Sequence, residues 1–370
     1  MGAILVIADD LTGAAELGGI AIRLGIQSKI SHHLDDLESE GVQIINTNTR
    51  SLRSADILCY LQSLFPEKMD ISVWEWVFLK FDSAMRGEIG IQLEFFKNLF
   101  LARQLVFCPV NPSLGRIIRN EKYYIGAKEI AHSEFAHDPE FPVVQSAIKR
   151  LINVPGISLI SETSEINVKM TYIVPSIANN QEIERWADQL PNFKLFAGAG
   201  AFFERLLVRY LSFKDPVPTK RIVFGRPLLY VCGSKHDDST QRINRIPRDQ
   251  VLQWCGPGEE RELAIKLTEI INRHGIAVFS VQPQKYYEAL TIRESMALTV
   301  NLLQEQCHIR ELVIEGGATA HAVLKQLNID VLRPTEELSP GVTRSEIADR
   351  KQMVTMKPGS YPWSKELWGF

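Results

Sequence analysis

The sequence lacks the patterns by which a chain of this size commonly holds zinc or forms disulfides. Its eight histidines form neither an HExxH nor an HxH motif, and its five cysteines include no CxxC pair. Both absences argue against a zinc site and a disulfide framework. An odd, scattered set of cysteines predicts buried thiols in a reducing compartment. The five are Cys59, Cys108, Cys232, Cys255 and Cys307.

Neither sign of charge is in clear excess, and no apolar run is long. Lys plus Arg number 41 and Asp plus Glu number 44, which gives a net charge of −3. A nucleic-acid-binding protein usually carries a basic excess, so the charge argues against that class. The longest apolar runs, such as residues 105–110, are far shorter than a membrane-spanning helix. The first apolar run lacks a preceding basic region and ends at Asp9, so it does not resemble a signal peptide, and we predict a cytoplasmic protein.

The usual glycine-rich nucleotide motifs are missing as well. The sequence has no GxxxxGK[ST] P-loop and no glycine-rich loop of the protein-kinase type. Gly198 and Gly200 form a GxG after an apolar run, but no third glycine follows at the spacing of a dinucleotide fingerprint. This GxG favours a tight turn that needs small residues over an anion site. A two-domain dehydrogenase is therefore a distant alternative.

The sequence does contain a repeated alternation of short apolar runs and amphipathic stretches. Residues 3–8 are rich in Ile and Val, which predicts a strand buried on both faces of a parallel sheet, and a helical pattern follows over 14–24. Further strands are predicted over 43–46, 77–81, 105–110, 193–197, 228–232, 276–281, 311–314 and 353–356. Further helices are predicted over 55–64, 89–101, 259–274, 295–307 and 319–327. The alternation predicts an α/β fold built of mostly parallel sheets flanked by helices.

The alternation breaks over residues 211–227. This stretch holds Pro216, Pro218 and Pro227 and shows little helical periodicity. A chain of 370 residues is long enough for two domains, each with its own core. We therefore predict an N-terminal domain over 1–215 and a C-terminal domain over 216–370.

Polar residues directly follow the strands of the first domain, which is where open α/β sheets bind ligands. Asp9 and Asp10 suit the binding of polyol hydroxyls or of a hydrated magnesium ion, while Asp10 or Thr12 also suits a helix N-cap; the two interpretations are compatible. Asp82 and Arg86 suit an anionic, hydroxylated ligand, because Arg clamps an acid while Asp takes a hydroxyl proton. A structural Asp–Arg pair capping the helix is the alternative. The same pattern adds Arg50, Asn111 and Arg116 from other strand ends and loops.

Three small-residue turns follow strands of the second domain. Each exposes backbone N–H groups that can form an anion nest. Three such turns at one sheet edge indicate a phosphate-bearing ligand. The turns contain Gly233 and Ser234; Gly316, Gly317 and Thr319; and Lys357 and Gly359.

Taken in order, these residues resemble the four-carbon acid sugar kinase family. The first half matches with ADDLTGA at 8–14, NTNTRS at 46–51, a K-x-D-S-x-x-R-G pattern at 80–87, and a Pro-x-x-P element followed by Gly-Arg at 109–116. The second half matches with GS, GG-x-TA and KPG elements at the three turns. The similarity covers most of the chain in the right order and spacing.

The resemblance implies a two-domain α/β enzyme with its active site in the cleft between the domains. Residues 1–215 would bind a four-carbon sugar acid such as an erythronate, a threonate or a 3-oxo-tetronate. Residues 216–370 would bind ATP with Mg²⁺, and the terminal hydroxyl of the sugar acid would be phosphorylated. The implied substrate-binding residues are Arg50, Arg86, Gly87, Asn111 and Arg116. The implied nucleotide-binding residues are Ser234, Gly316, Gly317, Ala318, Thr319, Lys357 and Gly359.

Phosphoryl transfer asks a protein for positioning and charge neutralisation rather than covalent chemistry. Arg50 or Arg86 would hold the substrate carboxylate. Asp82 would orient the attacking hydroxyl and take its proton, with Asp9 or Asp10 as the rival for that role. Mg²⁺ would bridge the phosphates without an assigned protein ligand, and closure of the domains would exclude water.

One departure from the family pattern bears on the nucleotide. Ala318 stands in the GG-x-TA turn where family members usually carry an acidic residue. His236, Asp237 or Asp238 are candidates to replace that carboxylate, although an exposed loop is the favoured interpretation of these three. The departure keeps an alternative open, in which a divergent relative binds a small sugar acid without turning over ATP.

The expected partner is a small-molecule sugar acid, with no nucleic acid and no membrane, and a homodimer is left open. The C-terminal aromatic residues are predicted to dock on their own domain rather than on a partner. They are Trp363, Trp368 and Phe370.

Overall fold

The structure is a computed structural model that describes residues 2–138, 141–190, 192–211, 223–234, 237–281, 287–348, 350–359, 361 and 363. The chain divides into two compact units, Met1–Pro216 and Val217–Phe370. Of the predicted boundary region, residues 212–222 lie outside the described residues.

The first unit alternates strands and helices through most of its length. Its elements are β1 (Ile4–Ala8), α1 (Leu11–Arg23), β2 (Ser28–Ser31), β3 (Val42–Asn46), α2 (Ser54–Leu64), β4 (Val77–Lys80), α3 (Ile89–Leu99), β5 (Leu105–Cys108), β6 (Arg116–Arg119), β7 (Lys122–Ile125), β8 (Lys128–Glu129), α4 (Ile148–Ile152), β9 (Ile157–Ile160), β10 (Tyr172–Pro175), α5 (Asn180–Asp188), β11 (Leu195–Gly198) and α6 (Gly200–Tyr210).

Eight strands of the first unit form a parallel sheet in the order β2-β3-β1-β4-β11-β5-β10-β9. The chain runs from β1 out to β2 and β3 on one side and then returns to β4 on the other side. The carboxyl end of β1 therefore lies at a topological switch point, where ligands of α/β sheets bind. Every residue of β1 is buried, as expected for a strand covered on both faces.

The second unit repeats the pattern and ends differently. Its elements are β12 (Leu228–Cys232), α7 (Asp237–Ile243), β13 (Val251–Trp254), α8 (Glu260–His274), β14 (Ile276–Val281), α9 (Ala289–Gln304), β15 (Glu311–Glu315), α10 (Gly317–Gln326), β16 (Val331–Ser339), β17 (Val342–Ile347) and β18 (Met353–Lys357). Its strands follow the order β13-β14-β12-β15-β18-β17-β16; the first five are parallel, and β17 is antiparallel to β18 and β16. The prediction of mostly parallel sheets flanked by helices is confirmed.

Four local predictions need correction. Strand β5 ends at Cys108 instead of residue 110, since Pro109 has no N–H to donate to a neighbouring strand. Helix α9 begins at Ala289, well before residue 295. Asp237 and Asp238 begin helix α7 instead of lying in a loop, while His236 lies outside the described residues. Cys59 is exposed on α2, unlike the buried Cys108 and Cys232.

The C-terminal aromatic residues were predicted to dock on their own domain, and the structure describes one of the three. Trp363 docks on its own unit as predicted, with 3% of its surface exposed. Trp368 and Phe370 lie outside the described residues. Among the helices that the structure describes, none is long and apolar enough to cross a membrane.

Candidate functional site

The predicted substrate residues of the first unit cluster around three adjacent strands. Strands β3, β1 and β4 are neighbours, with Ala8 aligned to Asn46 on one side and to Lys80 on the other. Asp9, Arg50 and Asp82 follow these strands at the same edge. The sheet topology therefore brings together residues that are up to 73 positions apart in the chain.

Arg50 binds both carboxylates that follow β1. Its Nη2 lies 2.6 Å from Asp9 Oδ1 and its Nε lies 3.1 Å from Asp9 Oδ2, a two-pronged contact, while its Nη1 lies 2.7 Å from Asp10 Oδ2. Asp10 also caps α1, because its Oδ1 accepts a hydrogen bond from the backbone N–H of Gly13 at 2.8 Å. The helix-cap interpretation of Asp10 is thus confirmed, and Arg50 is fully engaged by the protein's own carboxylates.

Arg86 is likewise paired. Its Nε lies 2.5 Å from Asp82 Oδ2 and its Nη1 lies 3.2 Å from Asp138 Oδ2. Gly87, the next residue, has φ +86° and packs against the backbone of Arg50, so this position requires a residue that adopts the left-handed region. Asp138 gave no signal in the sequence, because it lies in an irregular segment 52 residues after Arg86.

The two central carboxyl groups have opposite pKa shifts. Burial raises the pKa of Asp9 to about 6, against the opposing pull of Arg50. Burial also pushes the pKa of Asp82 upward, but Arg86, Arg50 and Arg116 outweigh it, so the pKa of Asp82 falls well below its ordinary value. At neutral pH Asp82 is therefore firmly ionised, while Asp9 lies close to its titration range.

Arg116 has a different environment from the other two arginines. Its Nη1 donates to the Ser83 hydroxyl, its guanidinium lies 5.5 Å from the centre of the Phe135 ring, and its Nε is buried without a hydrogen-bond partner. Within the described part of the chain, Arg116 forms no ion pair at contact distance, and it acts on Asp82 only through space. Asn111 contributes backbone bonds to Arg116 in both directions. The Tyr123 hydroxyl shares its one proton between the Ser83 carbonyl oxygen at 2.7 Å and the Pro109 carbonyl oxygen at 2.9 Å, and so fixes the neighbouring loop.

A buried ion pair lies beneath these residues. Lys80 Nζ is 3.0 Å from Glu16 Oε2 and 3.1 Å from the Phe81 carbonyl oxygen that it donates to. Lys80 also pulls the pKa of Asp9 downward through space. Glu16 lies on the buried face of α1. A charged residue in an otherwise apolar stretch of helix is a sequence signal that a buried residue of opposite charge pairs with it.

The GxG at the junction of β11 and α6 allows close packing of neighbouring elements. A Cβ on Gly198 would lie 2.0 Å from the carbonyl oxygen of Cys108, and a Cβ on Gly200 would lie 2.6 Å from the Glu16 carboxylate. Both glycines therefore allow close approach of neighbouring elements, in agreement with the tight-turn interpretation.

The three predicted turns of the second unit meet at one edge of its sheet. A Cβ on Gly233 would lie 1.9 Å from Thr319 Oγ1, and a Cβ on Gly359 would lie 3.4 Å from Ser234 Oγ. Gly316 has φ +103° and precedes Gly317, the first residue of α10. The turns that follow β12, β15 and β18 thus form one group of small residues beside a helix N-terminus, a geometry that presents backbone N–H groups to an anion.

Glu315, the last residue of β15, is fully buried beneath these turns and accepts four hydrogen bonds. The donors are Tyr230 Oη at 2.6 Å, the Ser239 hydroxyl, Lys357 Nζ at 3.0 Å and Trp363 Nε1 at 2.8 Å. Lys357 is buried as well and also donates to the Pro358 carbonyl. The structure therefore directs Lys357 inward to Glu315, and sequence reasoning missed Glu315 although a charged residue ends an apolar strand there.

Of the candidate replacements for the missing acidic residue, the structure describes the side chain of Asp238. Ala318 is exposed in the first turn of α10. Asp238 Oδ2 accepts from Arg242 Nε at 3.0 Å, one helical turn away. Among the described residues, no group of three or more His, Cys, Asp or Glu side chains is placed to hold a metal ion.

Two family models match the chain. A sugar-binding N-terminal domain matches residues 4–204, and a nucleotide-binding C-terminal domain matches residues 258–361. The first match covers more than half of the chain and contains all of the predicted substrate residues. The second contains every predicted nucleotide residue except Ser234.

Curated relatives and solved structures extend the similarity over the whole chain. The D-threonate kinase of Salmonella typhimurium is 22% identical over 93% of this chain and 92% of its own, and the 3-oxo-tetronate kinase of Haemophilus influenzae is 20% identical over 96% of each. A Salmonella typhimurium crystal structure described as a putative tRNA synthase superposes with a TM-score of 0.77 at 18% identity, covering 100% of this chain and 98% of that one. A Haemophilus influenzae protein superposes with a TM-score of 0.71 at 18% identity, covering 98% of both. The two structures establish the fold.

Proposed function

Since the chain belongs to the four-carbon acid sugar kinase family, we propose that it transfers the terminal phosphoryl group of ATP to the terminal hydroxyl of a four-carbon sugar acid. The first unit would bind the sugar acid and the second unit would bind the nucleotide. The relatives named above support a tetronate or an oxo-tetronate as the acceptor.

The observation that carries the proposal is the charge balance among the three arginines of the candidate site. Arg50 is engaged by Asp9 and Asp10, and Arg86 is engaged by Asp82 and Asp138. Arg116 influences Asp82 through space but forms no ion pair at contact distance among the described residues, and its buried Nε lacks a hydrogen-bond partner. A buried donor without a partner costs about 1–3 kcal/mol, which a ligand carboxylate would recover. We therefore assign the substrate carboxylate to Arg116 rather than to Arg50 or Arg86.

Asp82 is the group best suited to orient the attacking hydroxyl. Its Oδ2 accepts from Arg86, while its Oδ1 accepts no hydrogen bond from the residues that the structure describes. Its lowered pKa keeps it ionised, so it would accept a hydrogen bond from the hydroxyl rather than store the proton in the ground state. A loose phosphoryl-transfer transition state asks for such orientation more than for a strong base. The oxygens of Asp9 and Asp10 are already engaged by Arg50 and the α1 cap.

The nucleotide would lie against the turns that follow β12, β15 and β18. Backbone N–H groups of Gly317 and its neighbours at the start of α10 would bind phosphate oxygens. Bound Mg²⁺ neutralises phosphate charge and usually keeps several waters. The described residues near these turns do not supply a carboxylate ligand set for it, so we expect the phosphates themselves to carry the metal.

The test is ADP formation by the purified protein with ATP and Mg²⁺ against a panel of four-carbon sugar acids. The panel contains both enantiomers of threonate and erythronate and the 3-oxo-tetronates. Turnover with one member supports the proposal and names the substrate. No turnover with any member, together with no thermal shift from ATP, would reject it in favour of a sugar-acid-binding relative.

The assignment of Arg116 has its own test and a matched control. Arg116→Gln should raise KM for the sugar acid about ten- to a hundredfold, the loss expected for a charge-assisted hydrogen bond, and should leave KM for ATP unchanged. Arg119 lies on the same strand, is exposed, and packs its guanidinium on Tyr124 at 4.7 Å. Arg119→Gln should leave both constants unchanged. An unchanged KM for the sugar acid in Arg116→Gln would return the carboxylate to Arg50 or Arg86.

A further inference from the structure

Tyr287 is the only exposed aromatic side chain among the described residues of the second unit. It is 38% exposed, whereas Tyr230, Trp254, Phe279 and Trp363 are buried. It lies just before α9, at the edge of the sheet where the strands end. An exposed aromatic ring in this position is a surface on which a flat ligand can stack.

The Tyr287 ring is held rigidly from behind. Its centre lies 5.1 Å from the ring of Trp254, at an angle of 74° between the ring planes. Trp254 is buried and donates its indole N–H to the Ser295 hydroxyl at 2.8 Å, and Ser295 donates in turn to Glu260 Oε1 at 2.5 Å. The Tyr287 side chain is therefore already ordered, so stacking of a ligand on its ring would cost little additional side-chain entropy.

The loop that follows β13 packs closely against the hydroxyl end of the Tyr287 ring. Gly256 has no side chain, and a Cβ there would lie 2.9 Å from the Tyr287 hydroxyl. A Cβ on Gly258 would contact no atom within 4 Å. Gly256 therefore allows the loop to approach the Tyr287 hydroxyl, while open space surrounds the Cβ position of Gly258.

The strand that ends beside the Tyr287 ring lies two strands away from the one that precedes the Gly233–Ser234 turn. Trp254 aligns with Val281 on β14, and the neighbouring Ser280 aligns with Cys232 on β12, which precedes the Gly233–Ser234 turn. Two strand spacings, about 10 Å, therefore separate the end of β13 from the end of β12. That is roughly the separation between a purine ring and the terminal phosphates of an extended nucleotide.

From these contacts we infer that Tyr287 is the nucleobase-stacking residue of the second unit. A flat, neutral heterocycle stacks on an aromatic ring without needing a charged partner. The inference rests on the proposed ATP dependence of the enzyme and adds to it the place where the base binds.

The experiment compares Tyr287→Ala, Tyr287→Trp and the control Tyr60→Ala in steady-state kinetics. Tyr60 lies on α2 of the first unit and is also 38% exposed. Tyr287→Ala should raise KM for ATP about tenfold, the usual loss of one stacking contact, with kcat within twofold of wild type. Tyr287→Trp should keep KM for ATP within threefold of wild type, and Tyr60→Ala should equal wild type.

Inorganic tripolyphosphate, used as a competitive inhibitor against ATP, separates base from phosphate binding. Its inhibition constant should be the same in wild type and Tyr287→Ala, because tripolyphosphate has no base to stack. A KM for ATP that stays unchanged in Tyr287→Ala overturns the inference while the proposed function stands. Equal weakening of ATP and tripolyphosphate also overturns it, since that result would indicate a structural role. A wild-type protein that neither turns over nor binds ATP rejects the proposed function and this inference with it.

Discussion

Asp9 is held between two opposing influences that make it sensitive to pH. Burial favours its neutral form, while the two-pronged contact with Arg50 favours its ionised form, and burial prevails. The carboxyl group therefore binds a proton more tightly in the folded protein than in the unfolded chain. The stabilisation that a proton on Asp9 contributes is therefore fully present below the pKa of Asp9 in the unfolded chain. It is lost as the pH rises through the pKa of Asp9 in the folded protein.

The Asp9→Asn variant tests this sign. The folded pKa of about 6 lies above the ordinary 3.8, so the stability of wild type relative to Asp9→Asn should increase as the pH falls from 7.5 to 4. The increase should be about 3 kcal/mol in the limit. Urea unfolding of both proteins across this range measures it. A wild-type advantage that shrinks on acidification would show that the contact with Arg50 prevails over burial. Asp82, with its lowered pKa, should lose its own contribution only at pH values below 3.8.

At the residue scale, the sequence located the chemical groups better than it located their partners. Asp9, Arg50 and Asp82 do follow adjacent strands, because parallel topology alone brings strand ends together. Arg116 instead begins β6, after the loop that follows β5. Which arginine remains available for a ligand depended on Asp138, whose position no local pattern indicates. Lys357 was predicted to face a nucleotide, yet it points inward to Glu315, since pairing of two buried charges is a property of the folded interior.

At the scale of elements, Gly198 connects β11 to β5 and α6 by close approach of backbones. Gly198→Ala places a methyl group 2.0 Å from the Cys108 carbonyl oxygen, on a residue with φ +147°. We expect a loss of about 3 kcal/mol or more in the free energy of unfolding, because backbone atoms on both sides must move.

Gly126 is the control, with φ +59° and open space around its Cα. Gly126→Ala should cost only about 1 kcal/mol, the penalty of the left-handed conformation. Chemical denaturation of the two variants checks the difference, and equal losses would contradict the packing account.

Elements with strong apolar runs were predictable, and elements with weak ones were not. Strands β1, β12 and β14 are continuous apolar runs, and their positions follow from the sequence within a residue. The antiparallel strands β16 and β17 mix charged residues with apolar ones, so their pattern resembles exposed chain. Helix α9 was predicted to begin too late because its first turn presents exposed apolar side chains such as Leu290, which obscure the amphipathic period.

At the scale of the whole molecule, two compact units with separate cores should respond separately to their ligands. We expect calorimetry to resolve two unfolding transitions, one stabilised by the sugar acid and the other by ATP with Mg²⁺. Each ligand at a hundred times its dissociation constant should add about 2.7 kcal/mol to its own transition. A single transition that both ligands shift equally would contradict independent unfolding of the units.

Glu315 and its four hydrogen-bond donors limit which amino-acid substitutions the second unit tolerates during evolution. Four side chains from separate segments donate to one buried carboxylate. Removing a single donor or the carboxylate itself therefore leaves a charge or a polar group unpaired inside the unit. Lys357→Met should therefore be more damaging in the wild-type background than in a Glu315→Gln background, and a double-mutant cycle measures that difference. Strictly additive losses would show that the two positions accept substitutions independently. Strong epistasis would mean that this cluster drifts only by paired replacements, which makes it the slow-changing part of the second unit.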